Sequence, residues 1–206
     1  MRGRKALISI SKAIVSVSDK DGILEFASGL EKMGVKILAS DGTARFLKEK
    51  GIEAESISDY TGQEEVLGGR VKTLHPKVFA SILATTRQLP ELKRLGWEPI
   101  DMVVVNLYPF ESTIAKPGTT FQEAMENVDI GGVSLIRASA KNSERVAVIT
   151  DKTQYAQVLD EMMRNGGCIG DDVRNSLALA AFKYTSSYDS AIYRYLNKRS
   201  GDKKSG

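Results

Sequence analysis

The stretch "DMVVVNL" (Asp101–Leu107) restricts the fold more than any other part of the chain. Three consecutive valines leave no polar face for water, so the run reads as a strand buried on both sides. Strands of that kind belong to parallel sheets covered by helices. The sequence around it alternates accordingly. "AIVSVS" (Ala13–Ser18) is apolar and β-branched, and it ends in the turn "DKDG". Ile23, Phe26, Ala27 and Leu30 then recur at helical spacing, with Gly34 placed to end the helix. "VKILAS" (Val35–Ser40) is a second strand, "DGTARFLKEKG" a short helix closed by Gly51, and "EAESIS" a third strand. Strand–helix–strand–helix–strand implies parallel pairing through right-handed crossovers.

The same alternation continues to the end of the chain. "TTFQEAMEN" is a helix capped by Thr119 or Thr120, and "GGVSLIRASAKN" another, opened by two glycines. "RVAVIT" is a strand and "DKTQYAQVLDEMMRNGG" a capped helix. The segment Asp171–Lys198 is helical by the spacing of Val173, Leu177, Leu179, Ala180, Phe182, Tyr188, Ile192 and Tyr195. The expected fold is α/β: a three-layer, doubly wound sandwich on a mainly parallel sheet. It forms one domain over residues 12–198, with 1–11 and 199–206 as flexible termini.

Charge and cysteine usage narrow the function classes. A net charge of +3, from 29 Lys+Arg against 26 Asp+Glu, is too small an excess to argue for nucleic acid. The single cysteine, Cys168, rules out an intrachain disulfide and a cysteine-based zinc site, and fits a reducing cytoplasm. No run approaches the ~20 apolar residues needed to span a bilayer. The basic start "MRGRKALISISK" has its apolar run broken by serines and Lys12, so it does not read as a targeting segment. A soluble, cytoplasmic protein is expected.

In doubly wound folds ligands bind beyond the C-terminal ends of the strands, so the turns there carry the chemistry. "SVSDKDG" and "ASDGT" each put hydroxyls, a glycine and backbone N–H groups at a helix start, which suits a phosphate. Ser18, Asp19 and Thr43 could equally serve only as helix caps. "GGRVKTLHPKVFAS" (Gly68–Ser81) gathers Arg70, Lys72 and the only histidine, His75, which Pro76 keeps extended. It is either a solvated loop or a wall of an anion site. Tyr108 in "NLYPF" and Asp129 in "VDIGG" are each a candidate site residue or a satisfied structural one. Lys141 ends a helical pattern, where the helix dipole alone would favour it.

In this order, "SVSDK", "S-x-G-T", "GGRVKTLHP", "NLYPF", "DIGG" and "AKN" resemble the IMP cyclohydrolase domain of the bifunctional purine-biosynthesis enzyme. The other half of that enzyme is a folate-dependent formyltransferase, and nothing after the last helix of this chain resembles it. The resemblance runs from about Lys12 to Lys198 and implies a methylglyoxal-synthase-like fold. The implied reaction is dehydrative closure of formamidoimidazole carboxamide ribonucleotide to IMP, without metal or cofactor. It places Ser16, Ser18, Lys20, Ser40, Gly42 and Thr43 at the ribose phosphate. Arg70, Lys72, Thr73 and Leu74 would line the base and phosphate region. Asn106, Tyr108, Asp129, Ile130, Gly131, Gly132 and Lys141 would surround the reacting groups.

Ring closure needs a base, an oxyanion stabiliser and an acid. On the resemblance, Asp129 is expected to hydrogen-bond or deprotonate the carboxamide and Lys141 to stabilise and protonate the developing oxyanion, with Lys72 and Tyr108 orienting the formamide and relaying protons. Three lysines in one cleft are expected to depress one another's pKa. Two departures stand out: Phe79 where many relatives have a second histidine, and Asp41 in place of a glycine beside the proposed phosphate turn. Asp41 is expected to turn outward and cap its own helix. The rival to an enzyme is a non-catalytic nucleotide-sensing module on the same fold. Expected partners are the nucleotide, a second copy of the chain, and a formyltransferase supplying substrate.

Overall fold

The computed structural model describes residues 6–202. Its centre is a five-stranded, wholly parallel sheet with two helical layers. After a short strand β1 (Ile8–Ser9), the chain runs through β2 (Lys12–Val17), α1 (Ile23–Lys32), β3 (Lys36–Ala39), α2 (Asp41–Glu49) and β4 (Glu55–Ser56). Three short helices follow: α3 (Ile57–Thr61), α4 (Pro76–Leu83) and α5 (Leu89–Arg94). Then come β5 (Met102–Asn106), α6 (Phe110–Ile114), α7 (Phe121–Glu126), α8 (Gly131–Lys141), β6 (Ala147–Ile149), α9 (Tyr155–Arg164), β7 (Cys168–Ile169) and α10 (Asp171–Asp202). The sheet order is β4-β3-β2-β5-β6. α1 and α9 pack together on one face, while α4, α8 and α10 pack on the other.

The valines of β5 sit in the middle of this sheet. Met102–Val105 and Ala13–Val15 of β2 are almost wholly buried, as the run without a polar face requires. β2 pairs with β5 from Ala13↔Met102 to Val17↔Asn106. Because the chain winds outward one way from β2 and the other way from β5, the strand order reverses between them. A crevice opens there, past Val17 and Asn106.

The opposite end of the sheet is closed by a buried ion pair. Arg145 Nη1 lies 3.0 Å from Asp101 Oδ1, and Asp101 Oδ2 accepts from the backbone N–H groups of Ser11 and Lys12. The Arg145 guanidinium also donates to the carbonyls of Ser81, Ile82 and Ala84. Burial pushes the Asp101 carboxyl up and the Arg145 guanidinium down, so desolvation outweighs the attraction between them for both groups. The pair nevertheless joins the starts of β2 and β5 to the end of α4.

Several expectations need correction. The N-terminal segment is not wholly a loose end: Ile8 pairs with Ile169 and Ser9 with Cys168 in a small antiparallel sheet, and Ile10 is buried. The expected disorder of residues 1–5 and 203–206 lies outside the described residues. α10 continues past Ser200 to Asp202. "EAESIS" is a strand only at Glu55–Ser56, because Ser56 caps α3 by accepting from Asp59 N–H. The stretch "HPKVFAS" is mostly helix, since Pro76 occupies the first turn of α4, where its missing N–H costs nothing. Of the two threonines offered as caps for α7, Thr120 is the one, forming a capping box with Glu123.

Removing either partner of the Asp101–Arg145 pair leaves the other buried without its nearest opposite charge. Arg145→Ala is therefore expected to lower the unfolding free energy by about 3–5 kcal/mol, read by urea unfolding. A loss below 1 kcal/mol would show that the clamp contributes little.

Candidate active site

The crevice is built from four turns. In the first, Asn106 at the end of β5 shapes the turn after β2: its Oδ1 accepts from the N–H groups of Ser18 (2.5 Å) and Asp19 (3.0 Å), and its Nδ2 donates to Asp19 O (2.9 Å). Asn106 thus ties the two central strands together rather than pointing outward. Lys20 folds back to donate to Val17 O and to Thr43 Oγ1. Burial depresses its ammonium pKa.

The second turn opens α2. Thr43 is buried and links the two turns, sharing its hydroxyl with Ser40 Oγ (3.2 Å), Lys20 and Val17 O. Gly42 differs from the other site glycines. A Cβ there would meet nothing within 4 Å, and glycine inside a helix costs about 1 kcal/mol against alanine. The protein's own packing does not require it; what the missing side chain leaves is free space over a helix N-terminus. Asp41 does not cap α2 as expected, nor does it pair with Lys20 or Arg70. Both its oxygens lie 3.3 Å from Ser58 Oγ of α3.

The third turn carries the cations. Gly68 and Gly69 follow Leu67, whose φ of 57° is the only positive value of a non-glycine among the described residues. Arg70 forms a two-point contact with Glu126 of α7, and Lys72 Nζ lies 2.8 Å from Glu65. That hydrogen bond to Glu65 holds the Lys72 ammonium above its ordinary pKa, with added pull from Tyr108 and Asp41. The expected depression by neighbouring lysines is absent here because carboxylates, not ammonium groups, surround Lys72. Thr73 is buried and Leu74 partly exposed. His75 caps α4, its Nδ1 accepting from Lys77 N–H.

The fourth turn brings Asp129 to Tyr108. Asp129 Oδ1 accepts from Gly132 N–H at 2.7 Å, capping α8, and the backbone N–H of Tyr108 lies near enough to pull on the carboxylate. Burial raises the Asp129 pKa against the pull of these two donors. Both glycines are required by packing. A Cβ on Gly132 would sit 2.5 Å from Asp129 Oδ2 and 2.8 Å from Leu107, and one on Gly131 would sit 2.8 Å from Thr73 Oγ1. The Tyr108 and Ile130 side chains are exposed at the rim, and Ser16 is half-buried in β2. Lys141 is not with them. It is exposed at the far end of α8, about 15 Å along the helix from Gly131. α8 runs against the strand direction, so its end lies on the side of the sheet away from the crevice.

Residues 22–134, more than half of the chain, match the family model described as MGS-like domain. The chain belongs to the MGS-like domain family. Residues 139–205, which follow that match, match a second model, the AICARFT/IMPCHase bienzyme. The family resemblance drawn from the motifs is borne out by both matches. Two bifunctional purine biosynthesis proteins PurH are similar: that of Chlorobaculum parvum is 50% identical over 195 residues, 93% of this chain and 37% of its own length. That of Pelodictyon phaeoclathratiforme is 50% identical over 190 residues, 91% and 36%. The chain thus spans little more than a third of these curated relatives. The crystal structure of ForH superposes with a TM-score of 0.83 at 35% identity, covering 91% of this chain and 97% of that one.

The MGS-like domain also has crevice residues that sequence reasoning passed over. Glu65, Glu126 and Ser58 engage Lys72, Arg70 and Asp41, and no motif announces them. Tyr184 and Tyr188 of α10 hydrogen-bond Leu107 and Asp129, both in the fourth turn, and their one-turn spacing was the available signal. Among the described residues no helix is long and apolar enough to cross a membrane, and no group of three or more His, Cys, Asp or Glu could hold a metal ion. The two classes of glycine should separate in urea. Gly132→Ala is expected to lose about 1–3 kcal/mol through overpacking, whereas Gly42→Ala should be neutral or gain up to about 1 kcal/mol. A Gly42→Ala loss as large as that of Gly132→Ala would refute the distinction.

Proposed function

We propose that this chain acts in purine biosynthesis as an IMP cyclohydrolase, closing formamidoimidazole carboxamide ribonucleotide to IMP. The observation that carries the reading is Asp129, half-buried with its pKa raised, beside Tyr108 at the rim of the switch-point crevice. The carboxamide nitrogen attacks the formyl carbon and passes a proton to the Asp129 carboxylate. The formyl oxygen becomes an oxyanion, takes the proton held by Asp129 and then a second proton given up by the formamide nitrogen, and leaves as water while the ring C=N bond forms at that nitrogen. Lys72, fully charged, stabilises that oxyanion and Tyr108 orients the formamide. Lys141, far from the crevice in this chain, is given no part. The open start of α2, with Lys20 and the Thr43 hydroxyl beside it, takes the phosphate. The PurH and AICARFT/IMPCHase matches support this chemistry. The single cysteine fits a reducing cytoplasm, and the substrate has to come from a formyltransferase.

A second copy of the chain fits the outer face of α10. Leu179, Phe182, Ser186, Ser190 and Tyr193 line that face, with Lys183 and Asp189 on its flanks. Leu179 and Tyr193 are equally distant from Ser186 along the helix, as are Lys183 and Asp189. A two-fold axis at Ser186 would set each Lys183 against the partner's Asp189 and each Leu179 against the partner's Tyr193. Light scattering at micromolar protein is expected to give twice the chain mass, falling to one on Leu179→Glu with Tyr193→Glu. A wild-type monomer would exclude this contact.

The activity is tested by supplying the formamido nucleotide and following IMP absorbance; no IMP above the uncatalysed rate would leave the nucleotide-sensing module as the better reading. Asp129→Asn is expected to lower kcat by about 10²–10⁴ with nucleotide affinity within about threefold. Equal losses in both would make Asp129 a binding residue. Because the base must be ionised and its pKa is raised, kcat/KM should fall on the acid side with a midpoint above the 3.8 of an ordinary aspartate.

A further inference from the structure

We infer that Tyr188 is a positioning residue for Asp129, an inference that rests on the reading of Asp129 as the proton acceptor. Tyr188 is on the buried face of α10, with its ring edge-on to Phe110 at 6.3 Å. Its hydroxyl accepts from Asp129 N–H at 2.9 Å and donates to Asn127 O at 3.2 Å. A hydroxyl is both donor and acceptor, so a single atom holds the peptide groups on both sides of Val128. Burial pushes the Tyr188 pKa up and keeps that proton in place.

One turn earlier, Tyr184 Oη accepts from Leu107 N–H at 3.1 Å. α10 therefore holds both ends of the connection that follows β5, Leu107 through Tyr184 and Asp129 through Tyr188. Asp129 is thus held at both ends, its backbone by Tyr188 and its carboxylate by Gly132 N–H. Tyr188 touches none of the reacting atoms. It sets where the base stands and keeps it from swinging into water.

Tyr188→Phe keeps the ring and removes only the hydroxyl. Its kcat is expected to fall about tenfold to a hundredfold, the scale of a misplaced reacting group, with KM within about threefold because the phosphate turns are untouched. The Asp129 carboxylate, freer to reach water, should titrate closer to an ordinary aspartate, followed by ¹³C-carboxyl NMR and by the acid limb of kcat/KM. Tyr184→Phe, acting on Leu107 instead, should leave that titration in place. If Tyr188→Phe does not fold, 3-fluorotyrosine at 188 preserves the shape and alters the hydroxyl's acidity, and the Asp129 titration must then move. An active wild type with an unmoved titration and unchanged kcat in the variant would overturn the inference. A wild type that makes no IMP would overturn the cyclohydrolase reading alone, leaving the titration to decide on positioning.

Discussion

Asp101 and Arg145 meet at 3.0 Å under the sheet, on the side away from the crevice. Their carboxylate and guanidinium engage the start of β2 through Ser11 and Lys12 and the end of α4 through Ser81, Ile82 and Ala84. With one end of the two central strands pinned, their register determines what stands at the other end. Val17 faces Asn106, and Asn106 holds the turn that carries Ser18, Asp19 and Lys20. The geometry of the crevice is thus set partly from the far side of the sheet. A buried pair of this sort adds little net stability over an apolar substitute; what it supplies is a single alignment of segments that hydrophobic contact alone would let slide.

The cations at the crevice are all engaged by the protein itself. Arg70 meets Glu126, Lys72 meets Glu65, and Lys20 lies on Thr43 and Val17. A phosphate or carboxamide arriving there exchanges partners rather than meeting bare charge. For Arg70 and Lys72 the exchange is easy, since exposed pairs contribute roughly 0–1 kcal/mol. Asp41, the first residue of α2, turns its carboxylate to Ser58 and adds to the negative field around Lys72.

The fold was largely legible because its strands are unmistakable: three valines in β5, and the β-branched runs of β2 and β3. The strand-end turns were legible for the same reason. What escaped notice depends on distance in space. Lys141 follows "DIGG" closely in the sequence, yet a helix of eleven residues carries it to the other side of the sheet. Ile8 looked like part of a ragged start because its partner, Ile169, lies at the other end of the chain. Pro76 does keep His75 extended, as read, but it also opens a helix that the reading of the stretch as a loop or wall did not include. Tyr188 and Tyr195 were read as apolar packing positions, which they are; their ring contacts follow from spacing, but the bonds of the Tyr188 hydroxyl do not.

The clasp between β1 and β7 concerns how the chain acquires its shape. Arg174, buried at the start of α10, donates to Ala6 O across 168 residues of sequence, and to the carbonyls of Ser143, Glu144 and Ile169. None of those bonds to the N-terminal segment can form until the chain has been synthesised past residue 174. During translation β1 is therefore the last strand of this fold to be paired, after the parallel sheet behind it has been made. Contacts this remote in sequence are slow to close. The segment around Ile8 and Ile10, although made before the sheet, is the part a nascent-chain chaperone or protease would meet in its unfinished state.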